Sequence, residues 1–135
     1  MFNKNKKIID EDYVSGEITK MDDGDVDVVM KNQKEISEKL LNSNTLKKYT
    51  ELGKIMIGML QDYRKGLYTN VPWFTIAAIA FALLYVLNPL DIIPDFIPGL
   101  GYIDDLAVLT FGLRFIESDL HNYLDWKLEE GAEEA

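Results

Sequence analysis

The sequence contains no cysteine. That excludes a disulfide framework, a thiolate metal site and a cysteine nucleophile, and it suits a reducing compartment. Histidine occurs once, at His121. It lies one helical turn from Glu117 and one from Asp125, on the polar side of a predicted helix, where a lone histidine is ordinarily solvated. There is no Gly-x-Ser-x-Gly elbow, no phosphate-cradling glycine loop and no His-Glu-x-x-His pair. Ser37, Ser43 and Ser118 have no base and orienter in view. An enzyme is therefore not expected, unless a carboxylate cluster holds a catalytic metal. Positive charge is scarce: 14 Lys and Arg face 23 Asp and Glu, a net charge of −9. That balance argues against nucleic acid as a partner. Lys4, Lys6 and Lys7 have no apolar run behind them, since Ile8-Ile9 meets Asp10-Glu11-Asp12 at once. A secretory signal peptide is not expected.

Between Lys65 and Asp91 charge is missing altogether. Trp73 to Leu87 is predicted to be a helix that is apolar on every side. Such a helix is buried in a core or in lipid. Its length of about 22 Å falls short of the ~30 Å bilayer core. Extension to Asp91 would nearly reach, but only through Asn88-Pro89. So short a chain is not expected to cover this helix all round by itself. Lipid or a second copy is expected to shelter part of it.

What is present in abundance is turn chemistry in Tyr85 to Leu109, YVLNPLDIIPDFIPGLGYIDDLAVL. Asn88-Pro89 closes the preceding helix, because proline lacks an amide hydrogen and crowds the residue before it. Pro94 and Pro98 prevent one continuous helix, and Gly99 and Gly101 permit unusual backbone angles. Asp104 and Asp105 suit the first turn of a following helix. The prediction is a proline-pinned hairpin between two helices. Asp91, Asp95, Asp104 and Asp105 are its candidate site residues. One reading makes them helix caps and turn acceptors. A second makes them a proton site or an oxygen-rich site for Mg²⁺ or Ca²⁺, although their spacing matches no standard metal loop, and a third makes them a partner-binding surface.

This stretch resembles the YkvA-like family, a bacterial domain of unknown function. A related domain occurs in a membrane-bound RING-type ubiquitin ligase of the endoplasmic reticulum. Tyr85, Pro89, Asp91, Ile93-Pro94-Asp95, Ile97-Pro98, Gly101-Tyr102 and Asp104-Asp105 carry the likeness, which covers roughly residues 57–127. It implies frequent membrane association and brings no established activity, cofactor or ligand.

The chain then divides in order. Residues 1–25 are polar and acidic, and read as a disordered N-terminal segment. Asp22, Asp23, Asp25 and Asp27, at its end and just past it, read as a solvated acidic run, since the order lacks the glycine placement and distal Glu of an EF-hand. Residues 26–128 read as the helical domain. Its first helix runs over 25–41, with Val28, Ile36 and Leu40 or Leu41 as apolar face. The second, over 46–68, has the stripe Tyr49, Leu52, Met56, Met59, Leu60 and Tyr63, and is the most basic part of the chain. The last runs over 105–126 with the stripe Leu106, Leu109, Leu113, Ile116, Leu120, Tyr123 and Leu124. Residues 129–135 read as a frayed acidic tail. In an antiparallel hairpin Trp73 shares an end with Tyr123 and Trp126, and with Arg64, Lys65 and Lys127. Two accounts of that end are open: a membrane interface, or aromatics packing where helix ends meet.

The expected fold is all-α, a small bundle of about four helices with a Pro/Asp-rich apolar helical hairpin. The expected role is a membrane-associated binding or scaffolding module acting through that hairpin. Its place is the cytoplasmic membrane with the N-terminus in the cytoplasm, and its partner is membrane lipid. The rivals are a homo-oligomeric, dimeric bundle in the cytoplasm and a metal-dependent activity at the aspartates. The hairpin can span, re-enter or only lie on the membrane.

Overall fold

A computed structural model describes residues 11–44, 46–88 and 105–134, and their regular structure is entirely helical. Helices α1 (Glu11–Ile18), α2 (Asp23–Lys31) and α3 (Gln33–Asn42) come first. A 3₁₀ turn at Lys47–Tyr49 leads into α4 (Thr50–Arg64), followed by α5 (Trp73–Leu87) and α6 (Asp105–Glu134). The all-α bundle is as expected, but its N-terminal half is cut into shorter rods than foreseen.

The rods alternate in direction. Asp27 pairs with Arg64, Gln61 donates to Gln33 Oε1 at 2.8 Å, and Leu40 lies against Gly53, so α2 and α3 run antiparallel to α4. The Phe74 and Phe115 rings sit 5.5 Å apart, Thr75 donates its hydroxyl to Asp119, and Ala82 faces Gly112. These contacts set α5 antiparallel to α6; the Pro/Asp-rich stretch expected to join them lies outside the described residues.

Helix α5 is the axis of the bundle. Every residue from Thr75 to Leu87 is buried, and α5 touches each of the other helices. This corrects the expectation that so short a chain cannot shelter an all-round apolar helix. Ala77, Ala78, Ala80 and Ala82 explain how it does. Their small side chains let neighbouring backbones approach, so several narrow helices fit round one thin rod. With no charge of its own, α5 has its ends served from outside. Asp119 of α6 stands at its first turn through Thr75, and Lys39 of α3 donates to the Leu87 carbonyl at its last. A carboxylate at the N-terminus and an ammonium at the C-terminus both match the helix dipole.

The N-terminal segment differs from its sequence reading over 11–25. Val14 and Ile18, one turn apart, have 0% exposure, and α1 packs on α5 and α6. Two apolar residues at helical spacing are enough to dock a short helix onto a core that is already built. Asp22 is not merely solvated. It caps α2 by accepting from the Asp25 amide at 3.2 Å, while Asp25 accepts from the Asp22 amide at 2.9 Å, a reciprocal capping box.

The expected helix over 25–41 is broken at Asn32, whose side chain donates to the Val28 carbonyl at 2.7 Å. Asparagine competes for backbone groups in this way and ends one helix where the next begins. The break rotates the faces. Val26, Val29, Ile36 and Leu40 are buried, whereas Val28 and Leu41 are 40% and 53% exposed.

Helix α4 stops earlier than expected, in a motif built on Gly66, where φ is 75°. The Gly66 amide donates to Tyr63 carbonyl at 3.1 Å and the Leu67 amide to Asp62 carbonyl at 2.9 Å. This is a Schellman termination, which favours glycine at that residue. At the other end of the chain, α6 runs on past Trp126 to Glu134, into the stretch 129–135 that reads from sequence as a frayed tail. Leu128, Glu129, Glu130 and Ala132 are good helix formers.

Candidate functional site

The most organised polar group lies where α4, the turn after it and α6 meet. Asp62 follows Met59 by three residues, so it falls on the buried stripe of α4. It is 7% exposed. Its Oδ2 accepts from the Tyr123 hydroxyl at 2.7 Å and from Lys127 Nζ at 3.0 Å. Burial by itself would raise this carboxyl, but the hydrogen bonds from Tyr123 and Lys127, with the charges of Lys127 and Lys65, hold it below the usual carboxylate value. The Tyr123 phenol moves the opposite way. Burial first, then the bond and charge of Asp62, push it above the ordinary tyrosine value.

Aromatic rings surround this pair. Tyr68 lies edge-on to Tyr123 at 5.2 Å, and Trp126 sits 5.0 Å from Tyr68 and 5.8 Å from Tyr123. Tyr68 is placed there by the Gly66 turn, and its amide donates to the Asp62 carbonyl at 3.2 Å. Tyr123 and Trp126 are thus turned onto one another and onto Tyr68, in a cluster that ties helix ends together. Leu67, next to Tyr68 in the chain, keeps 60% exposure, and Trp73, at the start of α5, keeps 38%. Among the described residues every buried side-chain nitrogen or oxygen has a partner. Chemically the group is a lock: a carboxylate kept charged and a phenol kept protonated.

The residues singled out from sequence divide as follows. Tyr123, Trp126 and Lys127 come together as expected. Arg64 is drawn instead into its pair with Asp27. His121 is exposed on α6. Asp91, Asp95 and Asp104 lie outside the described residues, and Asp105 is the first residue of α6. Among the described residues no group of three or more His, Cys, Asp or Glu is placed to hold a metal ion. Sequence reasoning missed Asp62, Tyr68, Lys39 and Asp119. Asp62 had a signal, because an acid on an apolar stripe needs a partner. Lys39 and Asp119 had none, since they serve a helix remote in sequence.

No described helix is long and apolar enough to cross a membrane. No solved structure matches the chain. The model of a protein family of unknown function, DUF1232, matches residues 75–111, which run from the first turn of α5 into α6. A Bacillus subtilis (strain 168) protein described as "Uncharacterized membrane protein YkvA" is 45% identical over 71 residues, covering 53% of this chain and 67% of that protein. The match to that relative and the family match on the hairpin agree with the proline- and aspartate-rich string read from the sequence, and on these grounds the chain belongs to the YkvA-like family.

Proposed function

We propose that the protein is a membrane-associated helical module, with a binding or scaffolding role, that lies against the cytoplasmic face of the membrane. The family match falls on the apolar hairpin of α5 and α6, and the relative that shares it is described as a membrane protein. The observation that carries the mode of attachment is the enclosure of α5. Its apolar surface is spent inside the bundle, from Thr75 to Leu87. The hairpin is then the spine of the module, and contact with lipid is made by the outer helices. That arrangement supports attachment without crossing.

Fractionation tests this. Expressed in a bacterium, the full chain is expected to sediment with membranes and to leave them when salt is raised or at alkaline carbonate. Recovery wholly in the supernatant at low salt would remove membrane association. Retention through both washes, with release only by detergent, would replace lying on the bilayer with insertion into it.

A further inference from the structure

The acidic balance of the whole chain hides a strong segregation. Residues 31–65 hold eight Lys or Arg and four Asp or Glu, while the remainder holds six and nineteen. The fold gathers part of that surplus on one side, along a groove between α3 and α4. Lys34, Lys47, Lys48 and Lys54 line it together with Leu41. All four lysines are exposed. Glu51 neutralises Lys54 at 3.1 Å, and Glu38 is the other acid on the groove. Among the described residues none of the ion pairs engages Lys34, Lys47 or Lys48. Leu41, 53% exposed, is a large apolar side chain set among cations.

We propose that this α3–α4 face is the surface by which the protein docks on a bilayer carrying anionic phospholipid headgroups. The inference rests on the membrane reading above and names its contact. Basic side chains meet a negatively charged leaflet, and an exposed leucine among them can dip into the headgroup layer. The screening length of about 8 Å at physiological ionic strength lets this face act apart from the acidic remainder. The acidic remainder, repelled by the same leaflet, turns the basic side toward it. The leucine among the lysines and the acidic balance elsewhere favour a lipid surface over nucleic acid.

The test uses the full chain and sedimentation with two kinds of vesicle. One is phosphatidylcholine alone; the other is phosphatidylcholine with phosphatidylglycerol in equal parts. Binding is expected to the mixed vesicles only, and to vanish at about 1 M salt, where the screening length is about 3 Å. Replacing Lys34, Lys47 and Lys48 together by Gln is expected to weaken binding about fivefold per lysine, roughly a hundredfold in all. The same three replaced by Arg are expected to bind as the parent does. These side chains are exposed, so the melting temperature of all variants should match the parent and exclude misfolding. A Gln variant at Lys4, Lys6 and Lys7 is expected to bind normally. Equal binding to pure phosphatidylcholine would overturn the basic face while leaving membrane association intact. Loss of binding in the Lys4, Lys6 and Lys7 variant, or full binding by the first triple variant, would also overturn it. Binding to duplex DNA through these lysines, with no vesicle binding, would move the face to another partner. Binding to neither vesicle would end both proposals.

Discussion

Asp62 and Tyr123 show how one buried acid can organise the end of a helical bundle. The carboxylate stays charged because two donors meet it, and the phenol stays protonated because its acceptor is charged. Removing the acceptor leaves a buried hydroxyl unsatisfied, so Asp62→Ala is expected to cost about 1–3 kcal/mol in urea unfolding at neutral pH. The pH dependence has a sign at each side. Asp62 is held low in the folded chain. Its stabilisation is therefore complete above the unfolded value of about 4 and is lost as pH falls through the folded value. The gap between parent and Asp62→Ala should narrow in acid. Tyr123 is held high, so its contribution is complete below about pH 10, where the unfolded tyrosine begins to ionise, and is lost as pH rises from there. Tyr123→Phe should lack that alkaline loss. A parent and a variant that keep a constant gap across pH would show the pair to be energetically idle.

At the scale of helices, two glycines of similar sequence setting call for opposite outcomes. Gly66 sits at φ 75° in the turn that ends α4 and sends Tyr68 back onto Asp62. Gly66→Ala should destabilise by about 1–2 kcal/mol, because an alanine there adopts a left-handed backbone. Gly16 lies inside α1, with nothing within 4 Å of where a Cβ would go. Gly16→Ala should stabilise by about 0.5–1 kcal/mol through helix propensity. Thermal unfolding of the two variants reads both signs. Helix α5 offers a scan of its own. Leu placed in turn at Ala77, Ala78, Ala80 and Ala82 probes different sides of one rod. If every side is packed, each should cost about 1–3 kcal/mol. One tolerated position would mark a face open to solvent or lipid. The sequence made α4, α5 and α6 legible because their apolar residues recur densely at helical spacing, as with Met56, Met59 and Leu60, or Ile116, Leu120 and Tyr123. It left α1 and α2 obscure because Val14, Ile18, Val26 and Val29 are few and set among acids. The break at Asn32 had no Gly or Pro to announce it. The lock at Asp62 was half legible: Tyr123 and Lys127 were placed at the right end, but their acceptor belongs to another helix.

For the whole molecule, the consequence of enclosing α5 is that no second copy is required to hide it. Self-coverage is a three-dimensional sum over several helices, which no one-dimensional pattern reports, and this is why the sequence pointed to lipid or a sister copy. The large apolar side chains left exposed among the described residues are Val28, Leu41, Leu67, Trp73 and Leu128. They belong to α2, α3, the turn after α4, the start of α5 and the far part of α6. A stable interface between copies usually buries about 1,200–2,000 Å² around a continuous apolar centre. A net charge of −9 further opposes self-association. The chain in detergent-free buffer should therefore scatter light as a 15.5 kDa monomer, with no change over a wide range of concentration. A mass that doubles with concentration would mean that some face of the bundle still needs a partner, and the substitutions along α5 would then show which one, because a position buried only between copies would lose both stability and dimer when enlarged. A mass that stays single while membranes still capture the chain would place the whole of the attachment on its outer surface.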